Sequence, residues 1–238
     1  MRLEHVAFRY RRRDPWVFQD VTLSLPEGSV TEVTGHNGAG KSTLLRVIAG
    51  LRRPRAGVVR GRPARVGYAP ERFPVDQPFS VRAYLGHMAA IRRLPAGTGA
   101  AWADRLGFDH LLDVRLPELS KGSAQKIGLA QALMADPELL ILDEPFAGLD
   151  AATRDSLPEL IREFASRGST VVVSDHQRCI EAMPGVDRLH VAGGSVTPLA
   201  SGAPKPWTVL EVEVPGDEAD MVETKLRADG YRVRRREG

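Results

Sequence analysis

SVTEVTGHNGAGKSTLLRVIAGL, residues 29–51, decides the architecture. Its opening, Ser29 to Thr34, is rich in β-branched residues and reads as a strand. Its close, KSTLLRVIAGL, reads as a helix. Between them Gly35-His36-Asn37-Gly38-Ala39-Gly40-Lys41-Ser42 fits the pattern G-x-x-x-x-G-K-[ST]. The spacing has a physical basis. Glycines let the backbone wrap closely, so successive N–H groups point at a β-phosphate, while Lys41 reaches the β/γ oxygens and Ser42 can ligate Mg²⁺. The helix that opens at Lys41, Ser42 and Thr43 adds its partial positive charge. A strand, a glycine turn and a helix in this order predict a nucleoside triphosphate site in an α/β fold.

Working outward, LEHVAFRY (3–10) and VFQDVTLSL (17–25) read as strands, followed by a turn at Pro26-Glu27-Gly28. Two short continuous apolar runs, LLILD (139–143) and TVVVSD (170–175), have the character of strands buried on both faces of a parallel sheet. Between residues 80 and 135 the pattern turns helical, in VRAYLGHMAAIRRL, AAWADRLGF and AQKIGLAQALMAD. An α/β core interrupted by a mostly helical insert is therefore expected. After a Pro- and Gly-bearing linker at 202–206, WTVLEVEV, DEADMVETKLRADG and YRVRRRE read as strand, helix and strand. They form a small βαβ-like appendage in this reading.

The apolar strand LLILD ends on Asp143, where a P-loop enzyme places the acid linked to Mg²⁺. Glu144 follows at once, and a carboxylate there can orient or deprotonate an attacking water, which implies hydrolysis. With 42% hydrophobic and 26% charged residues, the composition excludes wholesale disorder. No run reaches the roughly 18 to 20 apolar residues that cross a bilayer, and the N-terminus carries no signal-peptide apolar region. The single cysteine, Cys179, excludes an internal disulfide and reads as a small buried hydrophobe on a helix. The net charge is only +3, but arginines clump at 9–13, at 52–65 and near the C-terminus. Such clusters mark either solvated faces or contact with an anionic partner.

GHNGAGKST, LSKGSAQK, LLILDEP, FAGLD and SDH, in that order, resemble the ATP-binding-cassette (ABC) ATPases over about residues 1–198, with exporter subunits the nearest in character. The resemblance implies a P-loop NTPase (RecA-like) parallel-sheet core at 1–200. An N-terminal antiparallel β subdomain and an α-helical subdomain at about 77–135 accompany it, and 201–238 is left as the appendage. It implies ATP and Mg²⁺ as ligands, with Gly35, His36, Asn37, Gly38, Ala39, Gly40, Lys41, Ser42 and Thr43 on the phosphates and Tyr10 against adenine. Ser120, Gly122 and Ser123 of LSKGS would cap the γ-phosphate held by a second subunit. Ser42, Asp143 and Glu71 would serve the metal. Glu144 would be the general base, with His176 and Lys41 as catalytic contacts at the γ-phosphate, and Asp150 would lie in the loop at the dimer interface.

Three positions depart from the family pattern: Lys121 stands where a glycine is usual, Ser123 stands in place of glutamine, and Glu71 stands where glutamine is usual. Glu71 would add a third carboxylate near Asp143 and Glu144. The implied partners are a second ATPase subunit, identical or different, and a separate transmembrane permease. The implied location is cytoplasmic, peripheral at the inner face of the membrane. Phe73, Phe79 and Tyr84 are candidates either for the permease groove or for local core. An ABC-type ATPase acting on nucleic acid or ribosomes is the alternative, with nucleic acid the less expected partner because neither a long coiled coil nor a second cassette is present.

Overall fold

The computed structural model describes residues 1–199, 214–228 and 233. In chain order the elements are β1 (Arg2–Phe8), β2 (Phe18–Ser24), β3 (Val30–Thr34), α1 (Lys41–Ala49), β4 (Ala56–Arg60) and β5 (Val66–Ala69). Then come α2 (Val81–Ile91), α3 (Thr98–Arg105), α4 (Lys121–Leu133), β6 (Leu139–Asp143) and α5 (Ala151–Ser166). The last are β7 (Thr170–Ser174), β8 (Val186–Ala192), β9 (Ser195–Leu199) and α6 (Ala219–Ala228). The chain divides into two units, Met1–Ser201 and Gly202–Gly238.

The first unit contains two sheets. One is antiparallel, in the order β2-β1-β4, and the other has the order β5-β6-β7-β3-β8-β9. In the second sheet the pairs from β5 to β8 are parallel, and β9 returns antiparallel along β8. Every residue of β6 and β7 is buried, as expected of central parallel strands covered on both faces. Alternate side chains divide between two cores. Leu140, Leu142, Val171 and Val173 join the core built with α2 to α5. Leu139, Ile141 and Val172 join the core built with α1 and the antiparallel sheet. The period of two in a strand thus produces both layers from the same short runs.

The parallel order places the carboxyl ends of β3, β6 and β7 side by side, with Asp143 in register with Ser174. Open α/β sheets bind ligands at that edge. α1 buries Leu44, Leu45, Val47 and Ile48 and stops at Gly50, whose left-handed backbone returns its N–H to Arg46 and Val47 carbonyls.

One open reading of the sequence is resolved here and one is corrected. Phe73 and Tyr84 are 7% and 5% exposed and meet edge to face at 5.3 Å, so both are core, while Phe79 is 40% exposed. Cys179 is half-buried in a turn rather than on a helix, and burial pushes its thiol up to about 11. In the second unit α6 is formed where a helix is expected. Apart from residues 214 and 233, the strands expected at 207–214 and 231–237, the linker before them and most of the third arginine cluster lie outside the described residues.

Candidate functional site

The phosphate loop joins β3 to α1 at the carboxyl edge of the sheet. Gly40 has φ 108°, and a Cβ there would stand 2.6 Å from Cγ1 of Val17, so only glycine lets the loop lie against the antiparallel sheet. α2, α4 and α5 each begin with a side-chain oxygen on a first-turn N–H. α1 begins with no such cap and no acidic residue in its first turn, so its N–H groups and positive dipole end remain available to an anion. The buried Lys41 ammonium donates to the carbonyls of Gly35 at 2.9 Å and His36 at 3.4 Å, which holds it across the loop. His36 binds the Asn37 carbonyl through Nδ1 and is exposed with Asn37 and Gly38.

Asp143 is fully buried at the end of β6. Its Oδ1 accepts from the hydroxyls of Ser42 and Ser174, each at 3.0 Å, and its Oδ2 accepts from Tyr68 Oη at 3.3 Å. Burial pushes the carboxyl above its ordinary value, and these hydroxyls oppose the shift. Ser42 and Asp143 are hard oxygen donors beside the phosphate loop. Magnesium takes one or two protein ligands and completes its shell with phosphate and water, so this pair suits it. Among the described residues no group of three or more His, Cys, Asp or Glu is placed to hold a metal.

Glu144 is buried with φ 53°, a left-handed backbone that is uncommon outside glycine. Its N–H donates to both the carbonyl and the hydroxyl of Ser174, which fixes that turn. Its Oε2 accepts from the backbone N–H of His176 at 3.2 Å and pairs closely with His176 Nδ1. Burial pushes Glu144 up, but the His176 bonds and charge, with Lys41, outweigh it and hold the carboxyl below its ordinary value. The same bond raises His176, against the opposing effect of desolvation.

The stretch LSKGSAQK starts α4. Ser120 caps the helix by accepting from the Ser123 N–H at 3.1 Å, and the two hydroxyls lie 2.9 Å apart. A Cβ on Gly122 would stand 2.2 Å from the carbonyl of Gly148, so the signature turn is packed directly on the AGLD loop. Further along α4, buried Gln125 donates to the Glu144 carbonyl at 3.5 Å, and Lys126 pairs with Asp150 at 2.6 Å. Among the described residues no hydrogen bond joins Ser120, Gly122 or Ser123 to residues 35–43.

Tyr10 is exposed on the turn after β1, edge-on to Phe8, and its hydroxyl bonds Thr43 Oγ1 at 2.8 Å. The expected aromatic therefore stands beside the phosphate helix. Glu71 is exposed and makes no hydrogen bond or ion pair among the described residues, so the three-carboxylate crowding does not form here. The sequence reading gives no role to Tyr68, nor to Ser174, which opens the SDH motif; both touch Asp143.

The ABC transporter family model matches residues 18–147, more than half of the chain. The chain belongs to this family. Its relatives include the zinc import ATP-binding protein ZnuC of Cereibacter sphaeroides, 37% identical over 208 residues that cover 84% of each chain. The aliphatic sulfonates import ATP-binding protein SsuB of Mycobacterium avium is 39% identical over 202 residues, 78% of this chain and 77% of the relative. Among solved structures, an ATP-binding subunit of an ABC transporter superposes with a TM-score of 0.73 at 25% identity, covering 82% of this chain and 87% of that one. The ABC transporter cassette MJ0796 gives a TM-score of 0.73 at 20% identity and shares the fold, covering 82% of this chain and 95% of that one. This ABC ATPase is thus an ATP-binding subunit of a family that hydrolyses ATP to power transport. The expected closeness to exporters finds no support, since these relatives are named as import subunits.

Proposed function

We propose that this ABC ATPase drives a separate membrane permease in the import direction by closing, with a second ATPase subunit, around ATP. The observation that carries the reading is the pairing of buried Glu144 with His176 beside the Ser42–Asp143 contact. Both Glu144 bonds use Oε2, so Oε1 is left to orient and deprotonate a water aimed at the γ-phosphate. With Nδ1 committed to Glu144, Nε2 of His176 is the ring nitrogen that can face that phosphate. Lys41 and the N–H groups of α1 hold the phosphates, Thr43 follows in the same first turn, and Tyr10 lies against the adenine. Ser42 and Asp143 hold the magnesium, with Glu71 on the loop beyond; the ion supplies charge neutralisation on the phosphates when bound.

Ser120, Gly122 and Ser123 act on the nucleotide of the second subunit, identical or different. The support is that these residues bond to each other and pack on Gly148, without reaching the phosphate loop of their own chain. Import is favoured by the names of the relatives, and the cargo is selected by the permease rather than by this subunit. Phe79, exposed and stacked on His87 at 6.2 Å, is the remaining aromatic candidate for the permease contact on the helical face. Among the described residues no helix is long and apolar enough to cross a membrane, which fits a peripheral subunit at the inner membrane face.

The test is light scattering coupled to gel filtration on Glu144→Gln, with and without ATP. Trapping of a dimer only with ATP, at a turnover lowered by about a hundredfold or more, is the expected result. A Glu144→Gln chain that binds ATP, stays monomeric and still hydrolyses it at the parental rate would remove both the base and the composite site.

A further inference from the structure

The hydroxyl of Tyr68 sits between a cation and the buried acid of the site. Arg46 Nε on α1 donates to Tyr68 Oη at 3.3 Å, and Tyr68 Oη donates to Asp143 Oδ2 at 3.3 Å. On the other oxygen, Ser42 and Ser174 donate to Oδ1 at 3.0 Å each. Three hydroxyls from β5, α1 and β7 therefore hold one carboxylate by both oxygens. Tyr68 is the single member of the set that also takes a bond from a guanidinium.

The arrangement fixes the plane of the Asp143 carboxylate. Ser42 donates its proton to Oδ1, so its oxygen lone pairs turn away from Asp143 and toward the phosphate loop. That geometry holds only while the carboxylate keeps the plane that presents one oxygen to Ser42 and Ser174. The bond from Tyr68 to the second oxygen holds that plane from the opposite side, and the Arg46 charge strengthens the phenol as a donor. We propose that Tyr68 is a positioning residue that orients Asp143, and through it Ser42, so as to set the affinity of the nucleotide site for its divalent cation. The inference rests on the magnesium reading of Ser42 and Asp143 given above.

The test separates metal-dependent from metal-independent nucleotide binding. The fluorescent nucleotide mant-ATP is titrated onto the full chain in Mg²⁺ and in EDTA, on the Glu144→Gln background to suppress turnover. In Tyr68→Phe the EDTA affinity should stay within about twofold, while the gain conferred by Mg²⁺ should shrink about tenfold, the scale of a lost hydrogen bond to a charged group. Arg46→Leu should shift the Mg²⁺ gain in the same direction by less, and it stands in if Tyr68→Phe fails to fold. Asp143→Asn is the control on the underlying reading. If Asp143→Asn abolishes the Mg²⁺ gain but neither Tyr68→Phe nor Arg46→Leu changes it, Tyr68 is a packing residue and the proposal is wrong. If Asp143→Asn also leaves the gain intact, the magnesium assignment itself fails. Equal losses in EDTA and in Mg²⁺ for Tyr68→Phe would show a structural role and overturn the proposal as well.

Discussion

Glu144 and His176 titrate as a unit, because each is shifted chiefly by the other's charge and hydrogen bond once burial is set against them. His176 is raised above its ordinary 6.5, so the stabilisation from the pair is complete below that value and fades as pH rises through the raised one. Glu144 is lowered below 4.5, so on the acid side the pair persists until pH falls through that lower value. NMR titration of the His176 ring should therefore give a midpoint above 6.5, falling to 6.5 or lower in Glu144→Gln. A midpoint that does not move with the substitution would mean that the two side chains are not coupled in solution. At this scale the motifs locate Lys41, Ser42, Asp143, Glu144 and His176, because phosphate chemistry ties those residue types to the end of a strand or the start of a helix. Tyr68 escapes such reading, and Ser174, though it opens the SDH motif, is given no role by it. Tyr68 contributes its hydroxyl from inside the short strand β5, where no spacing rule marks the position as polar.

Between elements, the start of α5 is fastened to α4. Asp150 accepts from the Thr153 N–H at 2.9 Å as the helix cap and also pairs with buried Lys126 of α4. The Lys126 bond and the cap together hold Asp150 far below the ordinary carboxylate range. Asp150→Asn keeps a capping oxygen and removes the charge, whereas Asp150→Ala removes both. Urea unfolding should place Asp150→Ala about 1 kcal/mol below Asp150→Asn, the ordinary worth of a cap. Equal stabilities would mean that the ion pair alone matters. The elements legible in the sequence include β1 and β2 from their strand patterns, β3 and α1 from the glycine motif, β6 and β7 from unbroken apolar runs, and α2, α3, α4 and α6 from helical patterning. α5 is not among them, since Pro158 lies inside it and proline normally ends a helical pattern. β4 is largely exposed and β5 is four residues long, so neither carries a readable alternation. β8 and β9 depend on tertiary pairing, β8 along β3 and β9 as a returning edge.

At the scale of the whole molecule, the first two arginine clusters converge. Arg55 donates to the carbonyls of Arg9 at 3.1 Å and Tyr10 at 2.7 Å, which brings residues 52–55 against the 9–13 turn beside Thr43. A basic rim at that position should speed the approach of a polyanion, with a steep dependence on salt. Replacing Arg11, Arg12, Arg13, Arg52 and Arg53 with Gln should slow mant-ATP association several-fold at low salt and little at high salt in stopped-flow measurements. Unchanged association rates would leave the clusters as solvated faces, and a salt-dependent shift with RNA that is lost in the same variant would favour the nucleic-acid alternative. The left-handed backbone of Glu144 bears on the whole chain in another way. A conformation that glycine or asparagine adopts more readily carries strain on the order of 1 kcal/mol, stored at the residue expected to activate water. Sequence drift under selection for thermal endurance alone would therefore tend to replace Glu144, producing sturdier descendants that clasp nucleotide without consuming it; on the function proposed above, turnover is what would keep a glutamate there against the preference of the fold.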